Sequence, residues 1–290
     1  MGSKAIQLKA RGAEIYIPDG KRLKEAIKRT THLGVCAHQD DLEFMAYHGI
    51  LECFDHKKNQ WFTGVTVTNG SGSARDAHYK DYTDEQMMEV RKLEQKKAAM
   101  IGQYATHFFL NHPSKAVKDS KIPDVAADLD AVLAACRPQV VYTHNFTDKH
   151  DTHVAVTLRV MAALRRLPKD QRPKKVIGCE VWRSLDWLCD PDKVVMPVDG
   201  HENLADSLMG VFDSQICGGK RYDLATRGRR LANATYFESH AVDKNKALAW
   251  GMDMTPLLAD DSLDPFDYAK SYIDRFANEV KDRVNRMNGR

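Results

Sequence analysis

The sequence predicts an α/β fold: a mostly parallel sheet with helices on both faces and a helical C-terminal extension. Three observations carry that expectation. Short apolar runs of strand length alternate with longer amphipathic stretches, the order that builds a sheet covered on both sides. Several of the strand runs are apolar throughout rather than alternating, as strands buried on both faces must be. No Pro/Gly-rich linker or internal repeat divides the 290 residues, a length that one α/β unit accommodates.

Taken in order, residues 33–37 form a buried strand, and Leu42, Met45, Ala46, Gly49, Ile50 and Cys53 then recur at helical spacing. Residues 62–68 are rich in β-branched side chains and end at the Gly/Ser loop 69–73. Thr83-Asp84-Glu85-Gln86 reads as a capping box, opening a helix that runs to about Gly102. A strand at 106–110, a helix at 124–136 and a strand at 139–143 follow. A helix at 153–167 and a strand at 175–182 come next. The last third reads as helical, at 203–216, 222–234 and 266–287.

Composition narrows the function classes. Lysine plus arginine number 43 against 40 acids, a net charge of +3, far from the basic excess of a dedicated nucleic-acid binder. No apolar run approaches the ~20 residues of a membrane span. The opening Met1-Gly2-Ser3-Lys4 lacks the apolar stretch of a secretory signal, and Ile6 does not fit a myristoylation signal. The six cysteines are scattered, without a C-x-x-C pair, and most sit in apolar strings. A reducing cytoplasm is the expected compartment. Nothing sets the oligomeric state, a homo-oligomer included.

Ligands in an open parallel sheet gather beyond the carboxyl ends of the strands. Those ends are followed here by His38-Gln39-Asp40-Asp41, by residues 69–78, by Asn111-His112 and by residues 144–153. An imidazole and a carboxylate three positions apart in a tight turn can converge on one cation, with a second carboxylate beside them. Zinc accepts such nitrogen and oxygen ligands, and a catalytic site keeps one position for water. One turn supplies too few ligands. The natural third is a histidine of the fourth loop, which offers His144, His150 and His153. The bland alternative is that Asp40 and Asp41 only cap a helix. That alternative leaves unexplained why both polar clusters directly follow buried strands.

The string Gly34-Val35-Cys36-Ala37-His38-Gln39-Asp40-Asp41-Leu42-Glu43 resembles the A-H-P-D-D-x-E signature of the LmbE-like, or PIG-L, deacetylases. Residues 143–153 resemble that family's second motif, T-H…D-x-H-P-D-H. Arg91-x-x-Glu94 with Ala98, Ala99 and Ile101-Gly102 resembles its R-x-x-E…A-A-x-x-L-G helix, and Phe212-Asp213-Ser214-Gln215 its H-x-S-Q. The resemblance implies a Rossmann-like three-layer sandwich forming one domain over residues 1–290, with a core at about 30–217 and a helical cap at about 218–290. It also implies a zinc-dependent enzyme that removes acetyl groups from N-acetylglucosamine-type sugars, with iron(II) suiting the same ligands.

Carried over position by position, the resemblance implies that His38, Asp41 and His153 hold the metal. Asp40 acts as general base and His150 donates to the oxyanion. Arg91 binds substrate, while Arg75, by its place in the loop after the second strand, is a further substrate candidate, and His144 neighbours His150, lining the substrate site or orienting a ligand. Gln39 replaces the family's proline, Asp151-Thr152 replaces Pro-Asp, and Leu110-Asn111-His112-Pro113-Ser114 lacks the aspartate that relatives direct at the sugar. The other histidines (His32, His48, His56, His78, His107, His112, His201, His240) read as surface or packing residues. Two further functions compete: an amidase acting on a related sugar-thiol conjugate, and a non-catalytic Rossmann-type sugar- or nucleotide-binding module. No G-x-G-x-x-G follows the first strand, although Gly70-Ser71-Gly72 can form an anion nest.

Overall fold

The computed structural model describes residues 6–290. In chain order the elements are β1 (Glu14–Tyr16), α1 (Leu23–Lys28), β2 (His32–Cys36), α2 (Asp41–Met45), α3 (Tyr47–Cys53), β3 (Phe62–Thr68) and α4 (Asp84–Ile101). There follow β4 (Thr106–His112), α5 (Ser114–Lys118), α6 (Pro123–Cys136), β5 (Val140–His144), α7 (Asp151–Arg166), β6 (Lys175–Cys179) and β7 (Lys193–Pro197). The last are α8 (Glu202–Gly210), α9 (Asp213–Ile216), α10 (Tyr222–Tyr236), β8 (Leu248–Asp253), α11 (Pro256–Ala259) and α12 (Pro265–Met287).

The strands form one eight-stranded sheet in the order β1-β4-β3-β2-β5-β6-β8-β7. The central neighbours β4, β3, β2, β5 and β6 run parallel, while β1, β8 and β7 join antiparallel. Side chains of β2 alternate between two apolar layers. Leu33, Val35 and Ala37 face a layer built largely from α6 and α7, and Cys36 faces one built from α2, α3, α4 and α8. The expected three-layer α/β architecture with a mostly parallel sheet and a helical C-terminus is the observed one.

Topology explains where a site can form. The chain moves outward from β2 through β3 to β4, then returns to place β5 on the other side of β2. That reversal opens a crevice at the carboxyl ends of β2 and β5. Gly34 permits it to be roofed closely. A Cβ there would lie 2.7 Å from both Leu42 and Phe62, so a side chain at this position would push α2 away from the sheet.

Local expectations held where the signal was local. Thr83 Oγ1 accepts from Gln86 N–H at 3.2 Å and Gln86 Oε1 accepts from Thr83 N–H at 2.8 Å, the reciprocal pair that starts α4. Other expectations changed. The helix expected over 42–53 breaks at Ala46, whose φ of −106° is non-helical. The helix expected over 203–216 breaks around Phe212 (ψ 57°), where Ser214 N–H leaves to donate to Glu94. The strand expected over 175–182 stops at Cys179. Three strands lay outside the sequence expectation: β1, β7 and β8. The C-terminal stretch read as helical therefore also supplies β8, inserted between β6 and β7.

Candidate active site

Two turns meet over the crevice, one leaving β2 and one leaving β5. The first turn depends on an unusual residue. Asp40 has φ 88° and ψ −34°, a conformation that side-chain-bearing residues rarely adopt and that costs about 1–3 kcal/mol. The surrounding groups hold it there. Asp40 N–H donates to Gln95 Oε1 at 3.1 Å, and the Asp40 carboxylate stands 3.1 Å from Arg91 Nη2. The Asp40 side chain makes no capping bond to α2, so the helix-cap explanation fails for it. Asp41 Oδ2 accepts the backbone N–H of His38 at 2.7 Å, which closes the turn and aims the carboxylate at the imidazoles.

The second turn is closed by Asp148, whose Oδ1 accepts from His150 N–H at 2.9 Å. Its other oxygen accepts from Trp182 N–H at 3.1 Å and stands 3.4 Å from His153 Nδ1. Nε2 of His153 is thereby turned toward β2. His38 Nδ1 and His153 Nε2 lie 3.2 Å apart, His38 Nδ1 and Asp41 Oδ2 3.3 Å, and His153 Nε2 and Asp41 Oδ2 3.4 Å. Zinc bonds of about 2.0–2.2 Å at tetrahedral angles set ligand atoms about 3.3–3.5 Å apart, so this triangle of donors fits the ion that the donor chemistry suggests.

His144 takes a different part. Its Nε2 also approaches Asp41 Oδ2, at 3.5 Å, and the three groups Asp41, His144 and His153 lie close enough to hold an ion. But Ala37 N–H donates to His144 Nε2 at 2.9 Å, which occupies the lone pair a metal would need. The ring is fully buried and stacks on His153 at 3.8 Å between centroids. His144 therefore supports a neighbouring imidazole from behind and does not face the cavity, where a substrate contact was expected.

Electrostatics follow from burial and crowding. Burial alone would raise the Asp41 carboxyl, but the imidazoles of His153, His144 and His38 pull it far below the usual carboxylate range. Burial lowers His153, yet Asp41 and Asp148 outweigh it and leave the imidazole raised. Asp40 is pushed up to about 7, by burial first, against the pull of Arg91 and with help from Asp41. His150 is held down to about 4 by burial and by His153 and His38. So held down, it is a neutral N–H donor at neutral pH.

Of these groups, His38, Asp40, Asp41 and His150 line a cavity of about 610 Å³. Gly70, Gly72 and Ser73 form one wall, and Phe44, Trp182 and Tyr222 another. His150 lines it beside the metal triangle, in edge contact with the His38 ring. The two expected substrate arginines do not reach into it freely. Arg91 lies at the cavity edge but is 1% exposed. Its guanidinium is committed to Asp40, the Gln39 carbonyl, Glu94 (3.2 Å) and Ser214 Oγ (3.3 Å). Arg75 turns away to Asp84 and the Ser71 carbonyl and does not line the cavity. His112, expected on the rim, is buried against Asp128, Nε2 to Oδ2 2.8 Å.

Sequence reasoning missed Asp148, Gln95 and the Glu94–Ser214 pair. Asp148 had a signal in the quoted second motif, as the carboxylate that precedes the two histidines. Glu94 accepts from both Ser214 N–H and Ser214 Oγ–H at 2.7 Å, tying the last motif to α4 and so to Arg91 and Asp40. Gln95 had no signal, because its partner Asp40 is 55 positions away.

Residues 33–164 match the family model described as PIG-L, GlcNAc-PI de-N-acetylase. No curated protein matches the chain. Among solved structures, the chain is similar to the N,N′-diacetylchitobiose deacetylase of Pyrococcus horikoshii (TM-score 0.61, 13% identity, 80% of this chain and 86% of that one). It is similar also to the conserved protein TT1542 of Thermus thermophilus (TM-score 0.58, 16% identity, 80% and 98%). A third is GalB, the 4-carboxy-2-hydroxymuconate hydratase of Pseudomonas putida (TM-score 0.57, 13% identity, 78% and 95%). At these identities the likeness concerns the fold.

Proposed function

We propose that the protein, whose residues 33–164 match the PIG-L family model, is a metal-dependent N-deacetylase acting on an N-acetylated amino sugar or glycoconjugate. One observation carries the reading: three donors, His38, Asp41 and His153, stand 3.2–3.4 Å apart, and the first two line an open cavity. They would hold zinc. A bound zinc ion acts as a Lewis acid and lowers the pKa of water to about 7.

The remaining chemistry falls to side chains in place. Asp40, raised by burial, accepts the proton of the attacking water and returns it to the departing amine as the C–N bond breaks. His150 donates its neutral N–H to the carbonyl oxygen as negative charge develops there. Arg91 positions Asp40 rather than binding a hydroxyl, because both of its terminal nitrogens are already engaged. Asp148 orients His153, as carboxylates do for metal-bound imidazoles. The sugar ring packs against the aromatic surface that Trp182 and Tyr222 form together, their rings meeting edge to face at 5.8 Å on the cavity wall.

The same reading treats the chain as one domain, its core at about 30–217 completed by β8 from residues 248–253. We place it in the cytoplasm, a reading supported by six free cysteines. No helix among the described residues is long and apolar enough to cross a membrane. The deciding experiment incubates the protein with a panel of N-acetylated sugars, with and without zinc, and measures released acetate. Zinc-dependent release from a panel member is expected. A binding module would take up sugar and release no acetate under any metal.

A further inference from the structure

The helix α12 is anchored along its first half, where Phe276 also meets the Trp187 ring edge to face at 6.5 Å. Tyr268 Oη donates to the Asp253 carbonyl, Ala269 and Tyr272 are buried, and Arg275 reaches Asp192 at 2.7 Å. Beyond Tyr272 the helix continues for four turns with almost every residue exposed. Its composition there is not that of a solvated helix. Ile273, Phe276, Val280, Val284 and Met287 are between 38% and 71% exposed, and at 100° per residue they fall on one stripe. A stripe of large, still exposed apolar side chains along about 21 Å of helix is a surface awaiting a partner.

We propose that α12 is the self-association surface of this protein, with two copies pairing their helices antiparallel about a two-fold axis at Val280. The spacing of the stripe points to a second copy. Its steps are 3, 4, 4 and 3 residues, the same from either end, so a two-fold rotation lays each apolar side chain against another. Val280 meets Val280, Phe276 meets Val284 and Ile273 meets Met287. Such self-complementarity is what an isologous interface demands.

Charge agrees with that pairing. On one flank of the stripe Glu279 and Arg283 stand one turn apart, paired at 2.6 Å. The rotation brings Arg283 of one copy within about 3 Å, along the axis, of the level of Glu279 in the other, and the converse. The two pairs then form an alternating cluster of four charges at the rim of the apolar seam. The polar face also argues against a lipid surface. Asp274, Glu279 and Asp282 are interspersed with Arg275, Lys281 and Arg283, whereas helices that lie on membranes carry a predominantly Lys/Arg face.

Sedimentation of the full chain at tens of micromolar tests the proposal. A dimer is expected, and Val280→Glu is expected to sediment as a monomer with unchanged circular dichroism. A monomeric parent, or a Val280→Glu chain that stays dimeric, overturns it. Cross-linking tests direction and register independently of that substitution. In a Cys217→Ser background, a mixture of Ile273→Cys and Met287→Cys chains should form a disulfide dimer on oxidation, while neither chain does so alone. Self-cross-linking of Ile273→Cys would mean a parallel pair and overturn the arrangement. A parent that is monomeric alone and pellets with phosphatidylserine vesicles would assign the stripe to a membrane surface instead.

Discussion

Asp40 concentrates the chemistry of the site in one strained residue. Its positive φ lifts the carboxylate off the helix it would otherwise cap and sets it beside the metal triangle, where Arg91 and Gln95 hold it. Asp40→Asn keeps the shape and both anchors but cannot accept a proton. Turnover should fall by roughly 10²–10⁴-fold, the usual contribution of a positioned general base, while bound metal measured by atomic emission stays near one per chain. An unchanged rate would remove Asp40 from the base role. Asp148 answers to a different measurement. Since it touches His153 and not the cavity floor, Asp148→Asn should weaken zinc affinity about 10–100-fold in a competition titration. An unaltered affinity would show that the α7 backbone alone orients His153. The roles of Arg91 and Arg75 are also decided at this scale. Sequence pattern identifies a cation near a site but not where its donors go, and here both guanidiniums turn terminal nitrogens to protein oxygens.

At the scale of elements, the sheet centre places a histidine where charge is expensive. His107 on β4 is fully buried, with Nε2 2.9 Å from Thr66 Oγ1 on the neighbouring β3. Burial holds its pKa down to about 3, against an ordinary 6.5. A depressed folded-state pKa means the unfolded chain binds the extra proton. The stabilisation is therefore complete above pH 6.5 and is lost as pH falls from there toward the folded value. By pH 4 the loss from this group reaches up to about 3 kcal/mol. Denaturant titrations of the parent and His107→Phe between pH 7.5 and 4 should show a shallower decline in the variant, whatever its stability at the start. Parallel declines would mean that His107 does not carry the acid sensitivity. Elements also differ in how far they could be read ahead. The capping box of α4 and the β-branched run of β3 depend on neighbours within a few residues, and both appeared as expected. The breaks at Ala46 and Phe212 depend on what those segments pack against.

For the whole molecule, the metal triangle joins loops more than a hundred residues apart, so an ion bound there should stabilise the global fold. Zinc at 100 times its dissociation constant adds about 2.7 kcal/mol. A calorimetric scan should show a higher midpoint with zinc, and His153→Ala should abolish the shift. A shift that survives in His153→Ala would mean that the stabilising ion sits elsewhere. The grouping of Asp41 and His144 also needs His153, so it would not explain such a survivor.

By itself the sequence determined the α/β class, the placement of polar clusters after buried strands, and the residue types able to bind a metal. Those follow from periodicity, capping and side-chain chemistry, which act within a few residues. Only the tertiary structure decided how the fourth-loop imidazoles stand about Asp41, with His153 at 3.4 Å, that Arg91 pairs with Asp40, and that β8 enters the sheet between β6 and β7. The physical reason is the reversal of chain direction across the sheet at β2 and β5. It creates the crevice and all its contacts between residues that no local pattern connects.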